Sequence, residues 1–424
     1  MTSKPTLKHP PIPTEDLIRI AQQTGTPCYV YAVPRIQQQV NALKATLEGL
    51  PYKLLYAIKA NYHPAILQLL HQEGIGFDAV SPTELLLTQH IGASAEQVLF
   101  SPNFMTDQEM HLAHRTGVLL NIGELSRLER YGQAYPGSEV CVRLNPQVGA
   151  GHHKHVITAG TEAKFGIPLS QLPDLLQLAR RYNLRIIGLH QHIGSGFMTV
   201  DAFIQAVKQL LNQADRFPDL TFLNFGGGLG IPYHPSEAPF PLEELRQRLH
   251  PLLQGFLAEQ KRPLTFWFEP GRFFVAESGI LLVQVTALKK TEQYLFAGTD
   301  SGFNHLIRPV LYQAYHAVFN LSNPTGRLRT YHLVGNVCES GDILAPNRPI
   351  QEIREGDYLA ILDTGAYGMS MASLYNLRPL PAEVLYYTPA HQVLIRPHQT
   401  PEDLAQEIMR LLPNSSPHTH QAQL

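Results

Sequence analysis

Lys59 closes a short apolar run in LLYAIKANYHP, Leu54 to Pro64, and is the first side chain in the 424-residue sequence with an evident chemical use. Desolvation lowers the pKa of a buried lysine amine and turns it into a Schiff-base nucleophile, although a lysine at a strand end is more often a solvated charge. Its company raises the stakes. A glycine-rich turn, Gly226, Gly227 and Gly228 in GGGLG, exposes backbone N–H groups that can cradle a phosphate, or is simply a turn. His192 in HQHIGSG is either a packed core histidine or a flat ring able to stack on a cofactor, with Ser195 beside it for a phosphate. Glu269 in FWFEPGRFF is either the partner of nearby Arg272 in a salt bridge or a buried carboxylate for a pyridine nitrogen. Together these are the parts that a pyridoxal 5'-phosphate enzyme needs.

Three further motifs carry polar chemistry. GNVCESGDIL holds Cys338, Glu339 and Asp342, and DTGAYGMSMASLYN holds Tyr367, Tyr375 and Asn376. A cysteine with charged neighbours can be an acid or nucleophile, though most single cysteines are inert small hydrophobes. DSGFNHLIRPVLYQAYH brings Arg308, Tyr312 and His316, and Arg308 there is either a bidentate carboxylate clamp or one half of an interface salt bridge.

The elements that must position these groups alternate. Eight strand-like runs, LLYAIKA, FDAV, VLFS, VLLNI, EVCVRLNP, RIIGLHQHIG, TFLNFGGG and FWFEPGR, are separated by stretches of helical period. Eight strand–helix units with no early G-x-G-x-x-G predict an α/β fold, a (β/α)8 TIM barrel rather than an open doubly wound sheet. In such a barrel the chemistry sits at the strands' C-terminal ends. Lys59 ends the first strand, Asp78 lies in the second, Arg143 and Asn145 end the fifth, and His192, the glycines and Glu269 end the sixth, seventh and eighth. Past residue 275 the period shortens toward two in SGILLVQVTALKKT, YLFAG, YHLVGNVC, DYLAILDTG and EVLYY, which predicts a second, C-terminal β-rich domain. The expected division is an N-terminal segment 1–34 lending the strand PCYVYA to the β domain, a barrel over 35–275, the β domain over 276–412 and a flexible tail over 413–424.

Bulk properties narrow the classes. A hydrophobic content of 44% and a formal charge of -2 argue against a nucleic-acid groove. No apolar run reaches the length of a membrane span, and the opening MTSKPTLKHPPIPTEDLIRI lacks the apolar core of a signal peptide. Cys28, Cys141 and Cys338 lie too far apart for a CxxC site, so a reducing cytoplasm is expected. His152, His153 and His155 crowd one stretch, but without a carboxylate or cysteine at ligand spacing they read as a loop, and no metal is expected.

In order and separation, YAIKAN, HIGSG, GGGLG, EPGR, LIRPxLYxAYH, CESGD and DxGAYGxSMASxYN resemble the diaminopimelate decarboxylases, which are alanine racemase-like, fold type III pyridoxal phosphate enzymes. The resemblance runs from about residue 25 to about residue 400. It implies a Schiff base at Lys59, His192 stacked on the ring and Glu269 at the pyridine nitrogen, with Asp78 also at the cofactor. It implies a phosphate held by Ser195, Gly227, Gly228, Gly271, Arg272 and Tyr367, and a substrate held by Arg272, Arg308, Tyr312, Glu339 and Tyr367. It further implies a homodimer in which the partner supplies Cys338, as proton donor, and Glu339. Diaminopimelate has an amino acid group at each end, and the Arg308–Glu339 pair matches its far end. Two loops depart from the family pattern: SPTE, Ser81 to Glu84, and SPNFM, Ser101 to Met105. Other readings are decarboxylation of D-ornithine, D-lysine or a carboxylated polyamine, a non-catalytic pyridoxal phosphate-binding regulatory homologue, and a barrel acting on a sugar phosphate.

Overall fold

The computed structural model describes residues 8–146 and 163–412. His152, His153, His155 and the tail 413–424 lie outside the described residues. After a helix over Thr14–Thr24, β1 (Cys28–Ala32) leads into the barrel. The barrel strands are β2 (Tyr52–Ala57), β3 (Gly76–Ala79), β4 (Val98–Phe100), β5 (Leu119–Ile122), β6 (Glu139–Asn145), β8 (Arg185–His190), β9 (Phe222–Asn224) and β10 (Thr265–Phe268). A two-residue strand, β7 (Ile167–Pro168), pairs only at the end of β6. The eight are parallel, and β10 pairing with β2 while β5 pairs with β6 closes the ring.

Local chemistry sets the strand-to-helix joints. Ser81 caps the helix Pro82–His90 by accepting from the Glu84 N–H, and Thr106 with Glu109 forms a reciprocal cap on Asp107–Thr116. Inside the barrel, side chains two residues apart on each strand share a face. The lower interior is apolar, with Leu55, Leu99, Cys141 and Phe222 buried against Trp267. Gly188 is required there, because a Cβ at this position would fall 2.0 Å from the Phe222 ring. One step up the same faces the interior turns polar: Cys141 gives way to Arg143, Phe222 to Asn224 and Trp267 to Glu269.

The second sheet is β15-β14-β12-β11-β1-β17-β18, with β16 on β11 and β13 on β16. Its strands are β11 (Gly279–Lys290), β12 (Leu295–Thr299), β13 (Val318–Asn320), β14 (Leu328–Val334), β15 (Ile343–Gln351), β16 (Tyr358–Leu362), β17 (Ala382–Thr388) and β18 (His391–Arg396). β1 pairs antiparallel with β11 and parallel with β17, so the first strand of the chain belongs to this sheet. Three of its strands have no counterpart in the sequence reading: β13 is only three residues long, β15 contains Pro346 and Pro349, and β18 has no buried residue. The helix Pro401–Met409 was likewise not expected. The two units meet at the Lys59 turn, where the Tyr367 N–H donates to Ala60 O at 2.8 Å and Asn61 Nδ2 to Gly365 O at 3.2 Å.

Candidate active site

Lys59 lies just past β2, in a single 3-10 turn over Ile58–Ala60, rather than in the strand itself. Its Nζ is 2.9 Å from Asp78 Oδ2 on the neighbouring β3, and its side chain keeps 41% of its surface toward the cavity while Asp78 is buried. Burial works against the charge on Lys59. Asp78, then Tyr367 and Glu269, outweigh it and hold the amine above its ordinary value, the opposite of the lowering expected from desolvation alone. Burial raises the Asp78 carboxyl, and Lys59 opposes that shift.

Glu269 follows β10 directly and is not paired with Arg272. Its Oε2 accepts from His190 Nε2 at 3.0 Å and its Oε1 from Asn224 Nδ2 at 2.7 Å. Burial alone would raise this carboxyl, but the charge and hydrogen bond of His190 pull it down to about 2. His192 follows β8. Gly227 N–H donates to its Nδ1 at 3.2 Å, so a neutral ring carries its hydrogen on Nε2. Burial, then Arg143 and Lys59, push His192 well below its usual range.

Lys59, His192, Ser195, Gly228, Glu269, Gly271, Arg272, Tyr312 and Tyr367, all selected from the sequence, line one cavity of about 210 Å³. Arg272 gives Nη1 to the Tyr233 hydroxyl at 2.7 Å and Nη2 to Ser195 Oγ at 3.1 Å, and lies 4.8 Å from the Tyr367 ring centroid. Tyr367 itself is held at φ +57°. Asp78 and Gly227 stand behind the lining: a Cβ on Gly227 would fall 1.9 Å from Glu269 O, so the glycine lets two loops touch. Arg308 is only 1% exposed and is not on the cavity wall. Cys338 and Glu339 are exposed and do not line this cavity, on a loop pinned by Asp342, which accepts from Phe303 N at 2.7 Å and Val337 N at 2.8 Å.

His190, Asn224 and Tyr233 belong to the site and were not selected from the sequence. His190 and Asn224 sit in the quoted runs HQHIGSG and TFLNFGGG, and period-two alternation from His192 and Gly226 was the signal that could have found them. Arg272 Nε and Asp78 Oδ1 are buried without a partner, and a buried donor or acceptor in that state costs free energy until a ligand supplies one. An amine, a fixed carboxylate, a neutral imidazole and a Ser–Arg–Tyr group around one cavity fit pyridoxal 5'-phosphate.

The model of the pyridoxal-dependent decarboxylases, pyridoxal binding domain, matches residues 33–276. Diaminopimelate decarboxylase of Methanothermobacter thermautotrophicus is 39% identical over 381 residues, 87% of this chain and 89% of the relative. That of Pseudomonas aeruginosa is 38% identical over 382 residues, with the same coverage of each chain. The crystal structure of diaminopimelate decarboxylase from Helicobacter pylori complexed with L-lysine matches with a TM-score of 0.86 at 31% identity, covering 93% of this chain and 100% of that one. The chain belongs to the diaminopimelate decarboxylase family of pyridoxal-dependent decarboxylases.

Proposed function

We propose that this protein is a lyase that decarboxylates meso-2,6-diaminopimelate to L-lysine and carbon dioxide, a step of lysine biosynthesis. The observation that carries the reading is the charged, doubly hydrogen-bonded Glu269 facing the same cavity as Lys59. Bound pyridoxal 5'-phosphate supplies a carbonyl for amines and a ring that withdraws electrons when its nitrogen is protonated. Glu269, kept ionised and oriented by His190 and Asn224, would stabilise a proton on that nitrogen. Asp78 orients Lys59 and is the nearest group to exchange a proton with its amine. His192, neutral, would offer a flat face to the cofactor without adding charge. Ser195, Gly227, Gly228, Gly271, Arg272 and Tyr367 would hold the phosphate, and Arg272, Arg308, Tyr312 and Tyr367 would hold the substrate. Purified, cofactor-loaded protein releasing no carbon dioxide from meso-diaminopimelate overturns the reading; release from D-ornithine or D-lysine at higher kcat/KM would move it to a neighbouring substrate.

The reading extends to a homodimer. Cys338 and Glu339 are exposed, on a loop held by Asp342, and do not line their own cavity, which supports delivery to the cavity of a second copy, Cys338 as proton donor and Glu339 as acceptor for the substrate's far ammonium. The proposed working units are the barrel, 35–275, which binds the cofactor, and the β-rich unit, 276–412, which presents that loop. Cys28, Cys141 and Cys338 are all free thiols, supporting a cytoplasmic setting that cell fractionation would test.

A further inference from the structure

Arg308 is almost completely buried, and no carboxylate pairs with it among the described residues. Its Nη1 donates to His316 Nε2 at 2.8 Å, while its Nε and Nη2 have no partner. Those two nitrogens form the side-on edge of a guanidinium, the edge that meets both oxygens of a carboxylate. Arg272 is arranged differently, with both terminal nitrogens already used by Tyr233 and Ser195. A whole fork is therefore left open at Arg308 and only half of one at Arg272.

The anchor is unusual in carrying no charge. Arginine offers only donors, so Nε2 of His316 must accept, and its Nδ1–H donates to Leu362 O at 2.7 Å. Burial, then Arg308 itself, push the imidazole well below its ordinary value, which keeps it neutral at working pH. Tyr233 completes the seat: its ring lies 4.3 Å from Arg308 Cζ and meets the His316 ring edge-on at 5.4 Å.

We infer that His316 is a positioning residue for substrate selection, holding the fork of Arg308 in place through a neutral acceptor so that its positive charge stays whole for a substrate carboxylate. This rests on the proposed function. A carboxylate in place of His316 would orient the guanidinium equally well but neutralise it, and the ligand would gain less. The fork is covered in this structure, so ligand entry has to uncover it. Pairing then relieves two buried, unsatisfied donors.

Steady-state kinetics of the cofactor-loaded protein with meso-diaminopimelate test the inference on wild type, His316→Gln, His316→Glu and His316→Leu. His316→Gln, which keeps a neutral acceptor, is expected to stay within about threefold of wild type in KM, whereas His316→Glu raises KM about tenfold, or about 1.4 kcal/mol, with kcat changed less than about threefold. His316→Leu, which removes the acceptor without adding charge, raises KM similarly and serves if His316→Glu does not fold. An unchanged KM in the folded Glu or Leu variants, or an equal loss in His316→Gln, overturns the assignment. Equilibrium titration with pimelate, a dicarboxylate without amines, reads the fork independently of turnover. If wild type fails to release carbon dioxide, the proposed function falls, while weaker pimelate binding in His316→Glu than in wild type still supports the positioning role and equal binding sinks it.

Discussion

His190 Nε2 lies 3.0 Å from Glu269 Oε2 inside the barrel, so a histidine that leaves its Nδ1 without a protein partner is committed to holding one carboxylate. Replacing His190 with leucine leaves Glu269 buried with only Asn224 as donor. The expected result is a loss of about 2 kcal/mol in urea unfolding and a fall in kcat of about 10- to 100-fold, by analogy with groups that orient a reacting ligand. An unchanged kcat would mean that Glu269 needs no such support.

Lys59, on the cavity wall, pairs with Asp78 behind it at 2.9 Å. Lys59→Ala removes the amine, so borohydride reduction of the cofactor-loaded protein should attach no cofactor mass, whereas wild type is labelled at Lys59. Asp78 holds the amine's pKa up, so Asp78→Asn lowers it. Less amine is then protonated at a given pH, and the pH dependence of cofactor capture, followed by absorbance, moves to lower pH. A shift in the other direction would contradict the geometry.

Cys338 and Glu339 offer a test of shared sites. Lys59→Ala and Cys338→Ala proteins, each inactive alone, are mixed after partial unfolding. If each site takes Lys59 from one copy and Cys338 from the other, an equal mixture recovers about a quarter of wild-type activity, since half of the dimers are mixed and each has one intact site. A mixture as inactive as its components rules out exchange of the loop.

Arg308→Ala should lower kcat/KM for meso-diaminopimelate by at least about 100-fold, because it removes the charged partner of a carboxylate that is desolvated on binding. The measurement is carbon dioxide release. Turnover at the wild-type level would remove Arg308 from substrate binding.

His305 supplies a stability test away from the cavity. It is buried, with Nδ1 facing Ser301 Oγ and Nε2 facing Pro379 O, both at 3.1 Å. Burial lowers it from 6.5 to about 4. A histidine depressed in the folded state stabilises above its unfolded pKa, and that contribution is lost as pH falls from 6.5 toward 4. The loss amounts to about 2 kcal/mol by pH 5. Urea melts at pH 7.5 and pH 5 should show that difference shrinking in His305→Gln; an equal pH dependence in both proteins would refute it.

The alternation of strand runs with helical stretches made the barrel legible, because a parallel strand buried on both faces needs a continuous apolar run whose length and end are visible in one dimension. The same reading placed Lys59, His192, Glu269 and Arg272 at strand ends facing one mouth. It missed β15, where two prolines hide a strand, and β18, whose exposed side chains show no strong apolar pattern.

Sequence by itself determined which groups are available, a lysine, a carboxylate, a histidine, a glycine turn and three arginines, and that eight strand ends would bring most of them together. Tertiary structure decided how they pair. Glu269 and Arg272 stand three residues apart, yet Glu269 turns to His190 and Asn224 while Arg272 turns to Tyr233 and Ser195. Likewise the protonation preference of Lys59 followed from Asp78, nineteen residues away but adjacent across the β2–β3 pair. Electrostatic partners are set by distances across neighbouring strands, and those distances exist only once the barrel has closed.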